Sequence, residues 1–327
     1  MAMTAQPIVK DAGERQYELV QGWGQLPQGW EWGQVGAVAV DSHDNVHVFT
    51  RAEHPYMVFD RSGKMVDSWG EGIFEDAHGI CITPDDTLYF VDRNPQIVLK
   101  FNKEGRHRLT LGKRYQKSDT GYTQDVREPA GPLASGGGMP VMNGVHHAGP
   151  PFHHPTDVSV APSGEIYVSD GYRNSRVHKY DSQGTLLKSW GEPGNARDLR
   201  NTRDKPGVFH TVHSVWEHQG KVYVADRENN RIQIFNLDGD YLDMWTGFER
   251  PTKLYVGADG VMYVAELEDR VSIVDLQGNV IGRFGSERSH DPGKFWGPHG
   301  IWTDSVGDLY VAEVLEGARL QKFARIK

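Results

Sequence analysis

Six segments of this 327-residue chain repeat one another, and that periodicity limits the fold more than any other feature. They are "VGAVAVDSHDNVHVFTR" from Val35, "HGICITPDDTLYFVDR" from His78, "TDVSVAPSGEIYVSDGY" from Thr156, "HSVWEHQGKVYVADR" from His213, "TKLYVGADGVMYVAEL" from Thr252 and "HGIWTDSVGDLYVAEV" from His299. Each reads as a short alternating strand, a turn rich in Asp, Gly, Asn or Ser, and a second strand of Tyr-Val-Ala-Asp type. Most continue into a third strand such as "RIQIFNLDG" or "RVHKYDSQG" and a fourth such as "YLDMWTG" or "LLKSWG". Period-two alternation of β-branched and aromatic residues between turn signals predicts four-stranded antiparallel sheets.

A sheet of this size has two exposed edges and cannot bury its apolar faces alone. Six of them, at roughly 40 residues each, predict an all-β six-bladed propeller, in which radial packing covers faces and edges together. The last segment ends at "LQKFARIK" after three strands, whereas "YELVQGWG", residues 17 to 24, has the fourth-strand pattern. The N-terminal strand is therefore expected to complete the last blade and close the ring, making residues 1–327 one domain. One stretch breaks the period: the Gly- and Pro-rich insertion at about 113–154, between blades 2 and 3. It reads as a lid over a site or as a mobile excursion.

In a propeller the first strand of each blade lines the central channel, so equivalent residues form a ring around the axis. The first residues of the six segments are Val35, His78, Thr156, His213, Thr252 and His299, which puts histidine on alternate blades. Alternate members of a six-membered ring stand about 120° apart, so three imidazoles converge on the axis. Three histidines with an open fourth position are a catalytic zinc arrangement. One such histidine alone reads as a strand cap, but three at equivalent repeat positions are a much narrower coincidence. The cluster "GVHHAGPPFHH" adds His146, His147, His153 and His154 in the insertion, which read as a metal site, substrate contacts or a solvated loop. Of these, His154, just before "PTDV", is placed to contact a ligand from the lid.

Composition narrows the function. No apolar run approaches the ~20 residues of a membrane span, and the first residues lack the basic and apolar regions of a secretion signal. A single cysteine, Cys81, suits a reducing compartment, and a cytoplasmic location is expected. The net charge of −9 opposes a phosphate-binding surface, so no nucleic-acid partner is expected.

At these residues the chain resembles the peptidyl-α-hydroxyglycine α-amidating lyase family, an NHL-repeat propeller with zinc held by three histidines. "PTDVSVAPSGEIYVSDGYRNSRV" and "VYVADRENNRIQIF" carry the resemblance most specifically. It implies His78, His213 and His299 as ligands of zinc or another divalent ion, the three that the repeat selects independently. It further implies Tyr172 of "DGYRNSR" as the catalytic tyrosine, Arg51 of "VFTRAEH" as an active-site arginine and Arg227 of "VADRENNR" as a second. The implied reaction cleaves a carbinolamide to an amide and glyoxylate.

The chain departs from its relatives at "GPHG", where the family has Met-Pro-His-Asp. The missing aspartate is a ligand of the family's structural calcium, which leaves only backbone carbonyls near Val38 and Ile80. The family's disulfides cannot form with one cysteine, and no copper monooxygenase partner is expected beside these repeats, which argues against secreted peptide hormones as substrates. A small-molecule or short-peptide substrate is therefore expected. Three other readings stand beside it: a related lyase for a small carbinolamide such as ureidoglycolate; a metal-dependent lactonase or esterase, which would need acidic or Asn ligands at the channel that the histidine ring does not favour; and a non-enzymatic propeller that binds a protein.

Overall fold

The computed structural model describes residues 7–122, 145–194 and 205–327. Six antiparallel sheets are arranged around a central axis, the predicted six-bladed β-propeller. Their inner strands are Val35–Val40, Ala77–Ile82, Pro155–Val160, Val212–His218, Pro251–Val256 and Pro298–Thr303. All are almost wholly buried, because each sheet packs a face against both neighbours and its inner strand against the axis. The outermost strands, such as Leu186–Trp190 and Tyr241–Thr246, are largely exposed, leaving Leu187 and Leu242 at the surface beside polar neighbours. Among the described residues no helix is long and apolar enough to cross a membrane.

The ring closes as expected. In the last blade, Arg15–Leu19 pairs with Arg319–Arg325, and a fifth strand, Val9–Ala12, adds to its outer edge. The closing strand begins and ends earlier than "YELVQGWG" suggests. Beyond Leu19 the chain turns, with Gly22 and Gly24 at φ of 72° and 81°, a left-handed backbone open to glycine at little cost. The Trp23 ring is thereby packed inward against Phe59 and Tyr310 instead of continuing the strand.

The acidic residue that ends each second strand has a local task. Asp92, Asp170, Asp226, Glu266 and Glu313 accept backbone N–H groups of Asp76, His153, His210, Glu249 and Trp296. These donors lie two or three residues before the inner strand's second residue. The aspartate of the Tyr-Val-Ala-Asp motif therefore fixes the loop by which each inner strand enters the channel, satisfying buried donors that would otherwise cost about 1–3 kcal/mol each. Blade 1 has Thr50 instead, whose hydroxyl donates to the carbonyls of Trp32 and Gln34.

Candidate metal and catalytic site

Every inner strand carries a β-bulge at its second residue. The pairing register shifts between Val35 and Ala37, Ala77 and Gly79, Pro155 and Asp157, Val212 and Ser214, Pro251 and Lys253, and Pro298 and Gly300. A bulge leaves one residue unpaired and re-aims its side chain. The ring around the axis is therefore Gly36, His78, Thr156, His213, Thr252 and His299. In blade 1 the expectation of Val35 is off by one: Val35 pairs with Thr50 in the sheet, and Gly36 holds the ring position. A Cβ at Gly36 would lie 2.4 Å from the carbonyl oxygen of Ala77, so no larger residue fits without shifting the strand.

The three histidines converge. Their ring centroids stand 4.9, 4.8 and 4.7 Å apart, and one nitrogen from each lies within 4.8 Å of the others. Among the described residues they are the one such group of three or more His, Cys, Asp or Glu side chains. Each is oriented by its neighbour in the ring. His78 Nδ1 donates to the carbonyl of Thr156 (2.6 Å), His213 Nδ1 to that of Thr252 (2.7 Å) and His299 Nδ1 to that of Gly36 (2.6 Å). These bonds fix the tautomer and turn all three Nε2 lone pairs toward the axis.

The remaining three ring positions repeat the pattern in another form. Thr156 Oγ1 donates to the carbonyl of Val212 and Thr252 Oγ1 to that of Pro298. In blade 1, where Gly36 has no side chain, Arg51 Nε donates to the carbonyl of Ala77 at 3.1 Å in the same role.

Burial, reinforced by the nearby arginines and, for His78 and His213, by neighbouring imidazoles, holds all three imidazoles well below the usual histidine pKa. They are neutral, the form in which imidazole binds a metal. Their lone pairs are under-supplied with donors. The Tyr172 hydroxyl lies 3.1 Å from His78 Nε2 and 3.0 Å from His213 Nε2, but its one proton serves only one of them. His299 Nε2, also buried, has no partner at all among the described residues. Buried acceptors facing one point without enough protons suit a cation, so the residues present fit a divalent metal.

Tyr172 follows the second strand of blade 3. It stands one residue beyond Gly171, whose Cβ would lie 1.7 Å from the Val212 carbonyl oxygen, so the backbone there passes hard against blade 4. Arg227 Nη1 donates to the Tyr172 hydroxyl at 3.2 Å, and the Arg227 and Arg93 guanidinium carbons lie 5.2 and 5.0 Å from its ring centroid. Burial alone would raise the phenol's pKa; Arg227, Arg93 and Arg51 together outweigh it and bring it below the ordinary value. Arg227 is itself buried and pairs with Glu228 at 2.8 Å.

Arg51 is partly exposed and pairs with Asp76. Sequence reasoning missed Arg93 and Asp76. The signal was available: Arg51, Arg93 and Arg227 occupy the same repeat position, directly after the second strand.

Just beyond the histidine ring, the next residue of each inner strand forms a second layer. Lys253 of blade 5 donates to both carboxylate oxygens of Asp157 in blade 3, at 2.7 and 2.8 Å, and Ser214 of blade 4 donates to the same carboxylate at 2.6 Å. All three are buried. This layer includes Gly300, where a Cβ would lie 3.0 Å from both Ala37 Cα and Val38 N. Position 300 thus supplies no acidic ligand beside the backbone of Val38, and a calcium of the family's kind, which the sequence puts in doubt, would have only carbonyl candidates at Val38 and Ile80.

The described ends of the insertion, 113–122 and 145–154, are fastened beside Tyr172. Thr120 Oγ1 donates to the Arg173 carbonyl, Gly149 N to Asn174 Oδ1 and His154 N to Gln96 Oε1. His146 and His147 are exposed, whereas His153 is buried. The body of the expected lid, 123–144, lies outside the described residues.

The NHL-repeat profile matches residues 152–180 and 219–235, which fall in blades 3 and 4. The chain is 33% identical over 220 residues to mouse (Mus musculus) peptidyl-glycine alpha-amidating monooxygenase, covering 63% of this chain and 21% of that protein. It is 26% identical over 289 residues to peptidyl-alpha-hydroxyglycine alpha-amidating lyase 1 of Drosophila melanogaster, covering 80% of this chain and 47% of that one. The chain therefore spans less than half the length of either relative. Among solved structures, a gluconolactonase from Xanthomonas campestris superposes with a TM-score of 0.61 at 12% identity, covering 99% of this chain and 96% of that one, a likeness of fold alone.

Proposed function

We propose that the chain, which belongs to the peptidyl-α-hydroxyglycine α-amidating lyase family, cleaves the C–N bond of an α-hydroxyglycine-type carbinolamide to an amide and glyoxylate. His78, His213 and His299 would hold a divalent ion, zinc in the first instance. The observation that carries this reading is the set of three neutral imidazoles whose Nδ1 atoms are tied to carbonyls and whose Nε2 atoms meet at the axis. Bound there, the ion would act as a Lewis acid that lowers the pKa of the substrate hydroxyl.

The chain's own residues supply the rest. Tyr172 Oη, beside two of the imidazoles, takes the hydroxyl proton as the carbonyl of glyoxylate forms. The electron pair of the breaking C–N bond passes to the amide nitrogen, which recovers that proton from Tyr172. Arg227 stabilises the phenolate by its hydrogen bond and positive charge. Arg51, at the partly open mouth, binds the carboxylate. Burial of Tyr172 and the three histidines keeps bulk water from the carbinol carbon, which favours elimination over hydrolysis.

A panel of α-hydroxyglycine peptides and small carbinolamides, scored by glyoxylate release, tests the activity and separates peptide substrates from smaller ones. Release from none of them by metal-loaded protein would refute it.

A further inference from the structure

Arg93 has so far figured only as one of three cations around Tyr172, with no contact to substrate. It follows the second strand of blade 2, Leu88–Asp92, in the repeat position that Arg51 takes in blade 1 and Arg227 in blade 4. Asp76, two residues before His78, joins it to Arg51: Oδ2 accepts from Arg93 Nε at 2.7 Å, and Oδ1 lies 3.2 Å from Arg51 Nε. Arg51 Nη1 is additionally tied to Gln34 Oε1 at 2.8 Å.

Asp76 thus holds Arg93 by a hydrogen bond at Nε and lies in ion-pair contact with Arg51, whose Nε–H donates to the Ala77 carbonyl. The Asp76 side chain is sealed at 6% exposure, while those of Arg51 and Arg93 are 20% and 22% exposed. Both arginine side chains are thus partly open, and one carboxylate neutralises only one of the two charges. Such a pair is a seat for an anion with two acceptor atoms.

Distance limits what the anion belongs to. The Arg93 guanidinium carbon is 5.0 Å from the Tyr172 ring centroid, and the Tyr172 hydroxyl touches the imidazoles. The pair therefore stands on the same side of the site as the Tyr172 ring, so a ligand whose hydroxyl meets Tyr172 and whose carboxylate meets the arginines must be short, as a 2-hydroxy acid is. Arg227, bonded to the Tyr172 hydroxyl and to Glu228, is occupied elsewhere.

We propose that Arg93 and Arg51, bridged by Asp76, form a two-guanidinium clamp that selects substrates with a free carboxylate on the carbinol carbon over their amides and esters. The assignment rests on the lyase reading above for its substrate, and Arg93 acts in it as a specificity-determining residue. Replacing Arg93 weakens recognition of the acid and leaves the neutral analogue unaffected, which a purely structural role for Arg93 would not do.

The test uses the metal-loaded protein and two probes, glycolate and its neutral counterpart glycolamide, with binding measured by calorimetry and metal content recorded for each variant. Wild type prefers glycolate. Arg93→Met loses about tenfold or more of that preference, the worth of one charge-assisted hydrogen bond, at unchanged metal content, and Arg93→Lys recovers part of it. Equal preference in wild type and Arg93→Met, or no preference in wild type, overturns the clamp. Glyoxylate-release assays separate the two readings. An Arg93-dependent preference in a protein that cleaves no carbinolamide leaves the clamp and removes the lyase; full acid selectivity in an active Arg93→Met removes the clamp and leaves the lyase.

Discussion

Arg227 Nη1 lies 3.2 Å from the hydroxyl of Tyr172 and donates to it, inside a pocket where both side chains are almost wholly buried. A cation so placed favours the phenolate, and the same phenol is within hydrogen-bonding distance of two imidazoles.

Tyr172→Phe removes the proton acceptor and keeps the ring that packs against His78 and His213. Turnover is expected to fall by about 10²–10⁴, the usual worth of positioned proton transfer, with metal stoichiometry unchanged. Arg227→Met should slow turnover less, because the phenol remains. Undiminished glyoxylate release by Tyr172→Phe rules out its role as base.

The Lys253–Asp157 pair spans blades 3 and 5 with both side chains under 5% exposed. Lys253→Met leaves a buried carboxylate without its counter-ion and should cost about 3–5 kcal/mol in denaturant unfolding. The double variant Lys253→Met, Asp157→Leu should regain most of this, since two apolar side chains leave no charge unpaired. A single variant as stable as wild type contradicts a stabilising role for the pair.

The insertion's histidines set an acid limit. Burial, the largest effect, lowers the pKa of His153 to about 4 and of His154 to about 3. The unfolded chain takes up these protons near the ordinary histidine value of about 6.5, so the stability they contribute is fully present above that pH. It is lost as pH falls through 4. Thermal unfolding temperatures measured from pH 7 to 4 should decline, and the decline should be shallower in His153→Gln. An identical pH dependence in that variant refutes the assignment.

The histidine ring could be read before any coordinates because the repeat converts sequence distance into angular position. That conversion tolerates an error of one residue only where the side chains are unmistakable. The repeat points to Val35 where the structure has Gly36, because a bulge, invisible in the strand pattern, shifts the register at the same place in every blade. The Asp157–Lys253 pair was hidden for a different reason. Its members belong to non-adjacent blades, and nothing in either strand shows that a lysine can stay buried by reaching across the axis. Nothing in the sequence separates Asp76 from the other acids of its loop; its value comes from two arginines delivered by two different blades.

Metal content of the purified protein, measured by mass spectrometry beside His213→Ala, tests the central claim most directly. The account predicts about one divalent ion per wild-type chain and its loss in the variant, with the fold retained. Wild-type protein without a divalent ion after growth in zinc-replete medium, or a His213→Ala variant with full metal content, would contradict it.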